Sequence, residues 1–344
     1  MRPLEWHRAE FDRLLAAKDS LAHAFLVSGA RGIGKLVFAR ALAQSLLCES
    51  AASGGYACGS CTACAWFESG MHPDYRQIEP ASLAEQEEPG EDDQSEKAEK
   101  RGKKPAVTIA VDQIRALPQF LNISSHRGGP KVIVLHPAEM LNINAANALL
   151  KNLEEPPPRT HFVLVTHRPH LVLPTIRSRS QRVSLSMPDI ETAAAWLAGQ
   201  GVRTPALALA QSGGAPLRAV ELDEPEYWGP RAAFLRQLAA DDLDIIAASE
   251  AVSGFPVPDL VAWLQKWSYD IAYYSATGSV RYNPDQEETI ARIAARVDRL
   301  AALRFHRETV ALQRAVHHPL NPRLFTEHLL LSYRDAILPR ATPL

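Results

Sequence analysis

The segment AFLV (24–27) runs directly into GARGIGKL (29–36) and then into KLVFARALAQSLL (35–47). A short apolar run reads as a buried parallel strand, and the Ala/Leu-rich segment after the glycines reads as a helix. Strand, glycine-rich loop and helix in this order form the context in which a phosphate-binding loop is credible. This feature directs the N-terminal part of the chain towards an α/β fold with a parallel sheet.

The same stretch raises a chemical question. The phosphate-loop pattern G-x-x-x-x-G-K-[S/T] is met at Gly29, Gly34 and Lys35, but Leu36 stands where a magnesium-binding hydroxyl belongs. Loop N–H groups cradle phosphates and the lysine neutralises their charge, whereas a leucine cannot ligate a hard cation that prefers oxygen. A second apolar strand, KVIVL (131–135), would end in an Asp-Glu pair in a working ATPase, and it ends in His136-Pro137. Glycine-rich strand-to-helix turns also occur in α/β folds that bind no nucleotide.

A third strand, HFVLV (161–165), follows NINAANALLKNLEE, an Ala/Leu helix stopped by Pro156-Pro157-Pro158. Asp112 is the expected N-cap of a helix beginning at Gln113. Alternation of strands and helices to about residue 185 implies a parallel sheet flanked by helices. Beyond Met187-Pro188 the strand signals fade. DIETAAAWLAGQ, TPALALAQ and APLRAVEL read as three short helices, and longer helical patterns follow Pro225. Trp263 and Trp267, spaced i, i+4 on one face, read as core packing. Residues 82–104, an acidic block followed by a basic one with little apolar content, read as a disordered surface insertion, with a docking tail as the other reading.

Net charge is −2 over 344 residues, with a pI near 6.6, which argues against a broadly basic nucleic-acid-binding surface. No apolar run is long enough to span a bilayer, and the first twenty residues read as an amphipathic helix rather than a signal peptide. A cytoplasmic location is therefore expected. In a reducing compartment the four cysteines need an explanation other than disulfides. Cys48, Cys58, Cys61 and Cys64 form C-x9-C-x2-C-x2-C, and four thiolates suit a closed, structural, tetrahedral Zn²⁺ site. An iron–sulfur cluster is the alternative, although the spacing differs from the ferredoxin run.

LPTIRSRS (173–180) clusters arginines on a short helix after a core strand. They form either a solvated face or a place from which one arginine reaches a neighbouring subunit's γ-phosphate, a task suited to a permanently charged, forked donor.

Taken together, LAHAFLVSGARGIGK, the four-cysteine module, HPDY (72–75), NALLKNLEEPP and SRS resemble the delta-prime subunits of bacterial DNA polymerase III clamp loaders, a AAA+ family. The resemblance extends over essentially the whole chain in domain order. It implies a AAA+ domain with a zinc module (48–64) in residues 1–186, a small helical lid at 187–224, and a helical collar at 225–344 that joins the other loader subunits. It further implies a stator that does not hydrolyse ATP and that works with gamma/tau and delta subunits, the sliding clamp and primed DNA, with no membrane partner. Ser178-Arg179 matches the family's Ser-Arg-Cys motif, making Arg179 the trans-acting arginine finger, with Ser180 in place of the usual cysteine. Thr166 falls at the sensor-1 position and Arg218 near sensor 2, with a surface or packing role as the other reading of both, and Arg177 is a second candidate phosphate or protein contact. Gly29, Gly34 and Lys35 leave room for weak nucleotide binding without turnover. Two other readings compete: a self-sufficient gamma/tau-like ATPase, against which Leu36, His136 and Pro137 speak, and a zinc-dependent nucleic-acid-binding module.

Overall fold

A computed structural model describes residues 1–84, 106–126, 128–313 and 321–338. The chain divides into two compact units, Met1–Pro188 and Asp189–Leu344. The insertion expected at 82–104 lies outside the described residues except for 82–84, at the end of the short helix Ala81–Ala84.

The first unit is built on five parallel strands: β1 (Ala24–Ser28), β2 (Tyr75–Ile78), β3 (Lys131–Leu135), β4 (Thr160–Thr166) and β5 (Gln181–Ser184). Their order is β2-β3-β4-β1-β5, and each neighbouring pair runs parallel. The three apolar runs of the sequence are the three inner strands, buried on both faces as parallel strands under helices must be. Of the edge strands, YRQI buries only its first and last residues and QRVS only Val183, and so neither carries an apolar run. The helix Lys35–Leu47 packs on the sheet through Phe38, Ala39 and Leu42. Another core group, including Leu26, Ile133, Phe162, Leu149 and Leu153, is shared by the sheet and the helix Ile143–Glu154. The first α-helix, Arg8–Ala16, buries Phe11, Leu14 and Leu15, in keeping with an amphipathic segment.

One expected cap is corrected. The helix expected from Gln113 spans Val111–Arg115, with Ala110 as its N-cap. The Gln113 side chain accepts a hydrogen bond from the Ala110 N–H at 3.0 Å, satisfying the backbone that a capping box would cover. Asp112 instead lies within the first turn, where its exposed carboxylate pairs with Arg115 at 3.6 Å and favours the positive end of the helix dipole.

The second unit is helical throughout its described regular structure. The helices Ile190–Gly199, Pro205–Gln211 and Pro216–Glu221 share a small core of Ala193, Leu197, Ala208, Leu209 and Ala219. A larger core gathers residues from Pro225–Leu238, Val257–Thr277, Arg299–Leu312 and Pro322–Ile337. Trp263 and Trp267 are both buried in it. The Trp267 indole N–H donates to the Tyr333 hydroxyl at 3.0 Å, which donates to the Leu238 carbonyl at 2.9 Å.

A polar network joins the two clusters. Gln211 Nε2 donates to the Tyr282 carbonyl at 2.6 Å and to Asn283 Oδ1 at 3.0 Å. Its Oε1 accepts from the Tyr227 hydroxyl at 2.9 Å and from Lys266 Nζ at 3.2 Å. Arg231 forks onto Asp285 at 2.8 Å. Buried Asp270 collects the N–H groups of Arg281, Tyr282 and Asn283 at 2.7–3.1 Å.

Tyr333 is completely buried, so Tyr333→Phe leaves an indole donor and a carbonyl acceptor without their partner. The variant is expected to lose about 1–3 kcal/mol of stability with an unchanged m-value, measured by urea unfolding of the full chain.

Candidate functional site

The glycine-rich loop is shaped first by the fold. A Cβ added at Gly29 would stand 2.5 Å from the backbone carbonyl oxygen of Leu185, so the close approach of the segment after β5 excludes a side chain. Gly34 caps the helix Lys35–Leu47 at φ +95°, in the left-handed region that favours glycine. The loop is overlaid by Trp6, whose indole N–H donates to the Ile33 carbonyl at 3.0 Å.

Lys35 is almost wholly buried. Its ammonium donates to the loop's own carbonyls, Gly29 O at 2.8 Å and Ala30 O. Burial pulls its pKa down to about 8, partly opposed by the negative charge of Glu139. Three histidines surround this ammonium electrostatically: His7, His136 and His167. Burial lowers each to about 4, and the Lys35 charge pushes in the same direction, so all three are neutral imidazoles at pH 7. The rings of His136 and His167 meet edge to face at 5.2 Å.

Glu139 was not singled out from the sequence. It lies on the short 3-10 turn Ala138–Met140 that follows β3. Its carboxylate accepts from the Thr166 hydroxyl at 2.7 Å and from the His167 N–H at 3.0 Å. Thus Thr166, at the end of β4, is buried and its hydroxyl is committed to a carboxylate within the same chain. The available signal was an acid four residues beyond the end of KVIVL, past the position where an ATPase carries its pair. Leu36 contributes no side-chain oxygen, and the Glu139 carboxylate, whose charge acts on Lys35, is bonded to Thr166 and His167. Arg218 lies in the second unit, on the helix Pro216–Glu221. There Lys266 is drawn down to about 7 by burial first and by the Arg218 charge second.

The four cysteines come together. Cys48 caps the C-terminus of the helix Lys35–Leu47, Cys61 caps the N-terminus of the helix Thr62–Glu68, and Cys64 lies in that helix's first turn. Their sulfurs all lie within 4.8 Å of one another. Three pairs stand at 3.6, 3.8 and 4.0 Å, close to the edge of about 3.8 Å expected for a tetrahedron with Zn–S bonds of about 2.3 Å. Backbone N–H groups aim at the sulfurs: Cys58 at Cys48 (3.3 Å), Cys61 at Cys58 (3.3 Å) and Cys64 at Cys61 (3.5 Å). Such donors favour thiolates, and the Ser60 N–H is the first cause of a Cys58 pKa lowered to about 6. All four cysteines are free of disulfides, and the donor set fits a closed structural metal site.

Arg179 terminates the helix Pro174–Ser178. Its guanidinium contacts Glu154 Oε1 at 2.5 Å through Nη2 and the Thr175 carbonyl at 3.1 Å through Nη1. Ser180, at the position where the family motif has cysteine, is buried and its hydroxyl donates to the Ile176 carbonyl at 2.9 Å. Arg177 is partly exposed and, among the described residues, forms no ion pair.

A family model described as "DNA polymerase III, delta subunit" matches residues 9–189. A DNA polymerase III subunit delta' from Pseudomonas aeruginosa is 37% identical over 279 residues, covering 79% of this chain and 78% of that protein. The Escherichia coli subunit delta' is 33% identical over 244 residues, covering 70% of this chain and 66% of that protein. A gamma subunit-related DNA polymerase III protein from Thermotoga maritima superposes with a TM-score of 0.48 at 18% identity, covering 95% and 99% of the two chains. The family match through the α/β unit and the extended identity to the Pseudomonas subunit lead to one conclusion: this chain belongs to the delta-prime subunits of DNA polymerase III.

Proposed function

We propose that this chain is a stator subunit of a clamp loader, helping to place a ring-shaped sliding clamp on primed DNA without hydrolysing ATP itself. The observation that carries this reading is the loss of oxygen ligands around Lys35, whose ammonium bonds the Gly29 and Ala30 carbonyls. Around it, Leu36 and His136-Pro137 replace the oxygen ligands that magnesium requires. Any nucleotide at Gly29, Gly34 and Lys35 would be held weakly, because no side-chain oxygen at these positions holds the magnesium that bridges its phosphates.

The chemistry supplied by the chain is then Arg179, acting in trans on the ATP of a neighbouring gamma/tau subunit. In this reading, residues 1–186 form the AAA+ domain, 187–224 the lid and 225–344 a collar that binds gamma/tau and delta subunits. Exposed Leu300, Leu303 and Val310 on the helix Arg299–Leu312 support such a contact, as do Leu324 and Leu331 on Pro322–Ile337. Their spacing places apolar side chains along the solvent side of each helix. DNA is met through the assembled complex, in the cytoplasm. Cys48, Cys58, Cys61 and Cys64 hold Zn²⁺, which joins the end of one helix to the start of the next and takes no part in hydrolysis.

Three measurements test this. The pure chain with magnesium is expected to show no ATP turnover dependent on Lys35; turnover abolished by Lys35→Ala would favour a gamma/tau-like ATPase instead. Arg179→Ala is expected to preserve assembly while lowering hydrolysis by about 10³-fold at the one neighbouring site, with a smaller loss for the whole loader. An unchanged rate removes the finger assignment. Elemental analysis of metal-replete protein is expected to give about one zinc per chain, lost in Cys58→Ser/Cys61→Ser; a value well below one in the parent chain removes the zinc assignment.

A further inference from the structure

The guanidinium of Arg179 has a partner within its own chain. Glu154 is the last residue of the helix Ile143–Glu154, and its Oε1 lies 2.5 Å from Arg179 Nη2. Nη1 is held by the Thr175 carbonyl at 3.1 Å. The Arg179 backbone N–H donates to Ile176 O at 3.1 Å, and the side-chain hydroxyl of the next residue, Ser180, donates to the same carbonyl at 2.9 Å. Arg179 can therefore exchange partners by side-chain rotation while its backbone stays in place. Its neighbour Arg177 has no such carboxylate among the described residues.

We infer that Glu154 is a positioning residue that holds Arg179 in reserve and competes with the neighbouring subunit's γ-phosphate for the guanidinium. This rests on the finger reading given above. The carboxylate sits at the negative end of a helix dipole, which adds to its pull on a cation. The pair is nevertheless partly exposed, at 36% for Arg179 and 46% for Glu154. Ion pairs of that kind are weak and readily exchanged. The γ-phosphoryl group offers a geometry that matches the guanidinium fork, and its pull overtakes that of Glu154 only as charge develops in the transition state. Glu154 thereby keeps the finger folded back in the free subunit and opposes its transfer in the complex.

The test uses a reconstituted loader in which the other subunits' trans-acting arginines are replaced by alanine, so that turnover is read at the site served by Arg179. Glu154→Gln keeps the size of the side chain and removes its charge. It is expected to raise kcat about threefold, the scale of one exposed ion pair, with the KM for ATP unchanged, because the finger acts on charge that develops in the transition state. In an Arg179→Ala background, Glu154→Gln is expected to change nothing. A kcat that stays level or falls overturns the inference, as does an equal rise in the Arg179→Ala background. If Arg179→Ala alone has no effect, the finger reading fails and the latch with it; if Arg179→Ala slows the site but Glu154→Gln does not speed it, the latch alone fails.

Discussion

The parallel register of β1 and β4 is the constraint on which the first unit depends. Ser28 stands opposite Thr166, and on the other side of β1 it stands opposite Ser184. Because all five strands point the same way, the turns leaving β1, β3 and β4 open along one edge of the sheet. Lys35, Glu139 and His167 meet there for that reason, although more than a hundred residues separate the first from the last. The same register brings the backbone after β5 against Gly29, so that the glycine is required by packing whatever the loop binds.

A buried ammonium at this edge is tolerated because its surroundings stay neutral or negative. Protonating His136 or His167 would place a second cation near Lys35 in a poorly solvated site, and both effects hold the imidazoles neutral. Glu139 supplies the compensating charge and at the same time ties the turn after β3 to the end of β4 through Thr166 and His167. A carboxylate engaged in this way is a structural clamp.

Much of the architecture was legible because parallel inner strands are nearly all apolar. KVIVL and HFVLV announce themselves, as does the Ala/Leu helix between them. The edge strands YRQI and QRVS bury too few residues to leave such a trace. Cysteine spacing was similarly informative, since short intervals restrict where thiols can point, and the sulfurs do converge. Glu139 and the Glu154–Arg179 pair were not visible. Both depend on elements brought together by the fold, with partners about 25 residues apart in sequence and no periodic pattern linking them. Asp112 shows the local limit: an acid and an amide one residue apart can exchange capping roles without any change in helix pattern.

The polar network around Gln211 has a mechanical meaning. Pulling the three short helices away from the larger helical core would break the bonds of Gln211 to Tyr282, Asn283, Tyr227 and Lys266 together, at a net cost of about 0.5–1.5 kcal/mol for each neutral bond. Soft joints do not carry such penalties. The two helical clusters of the second unit are therefore expected to open as one cooperative block, coming apart only when several of these bonds break together.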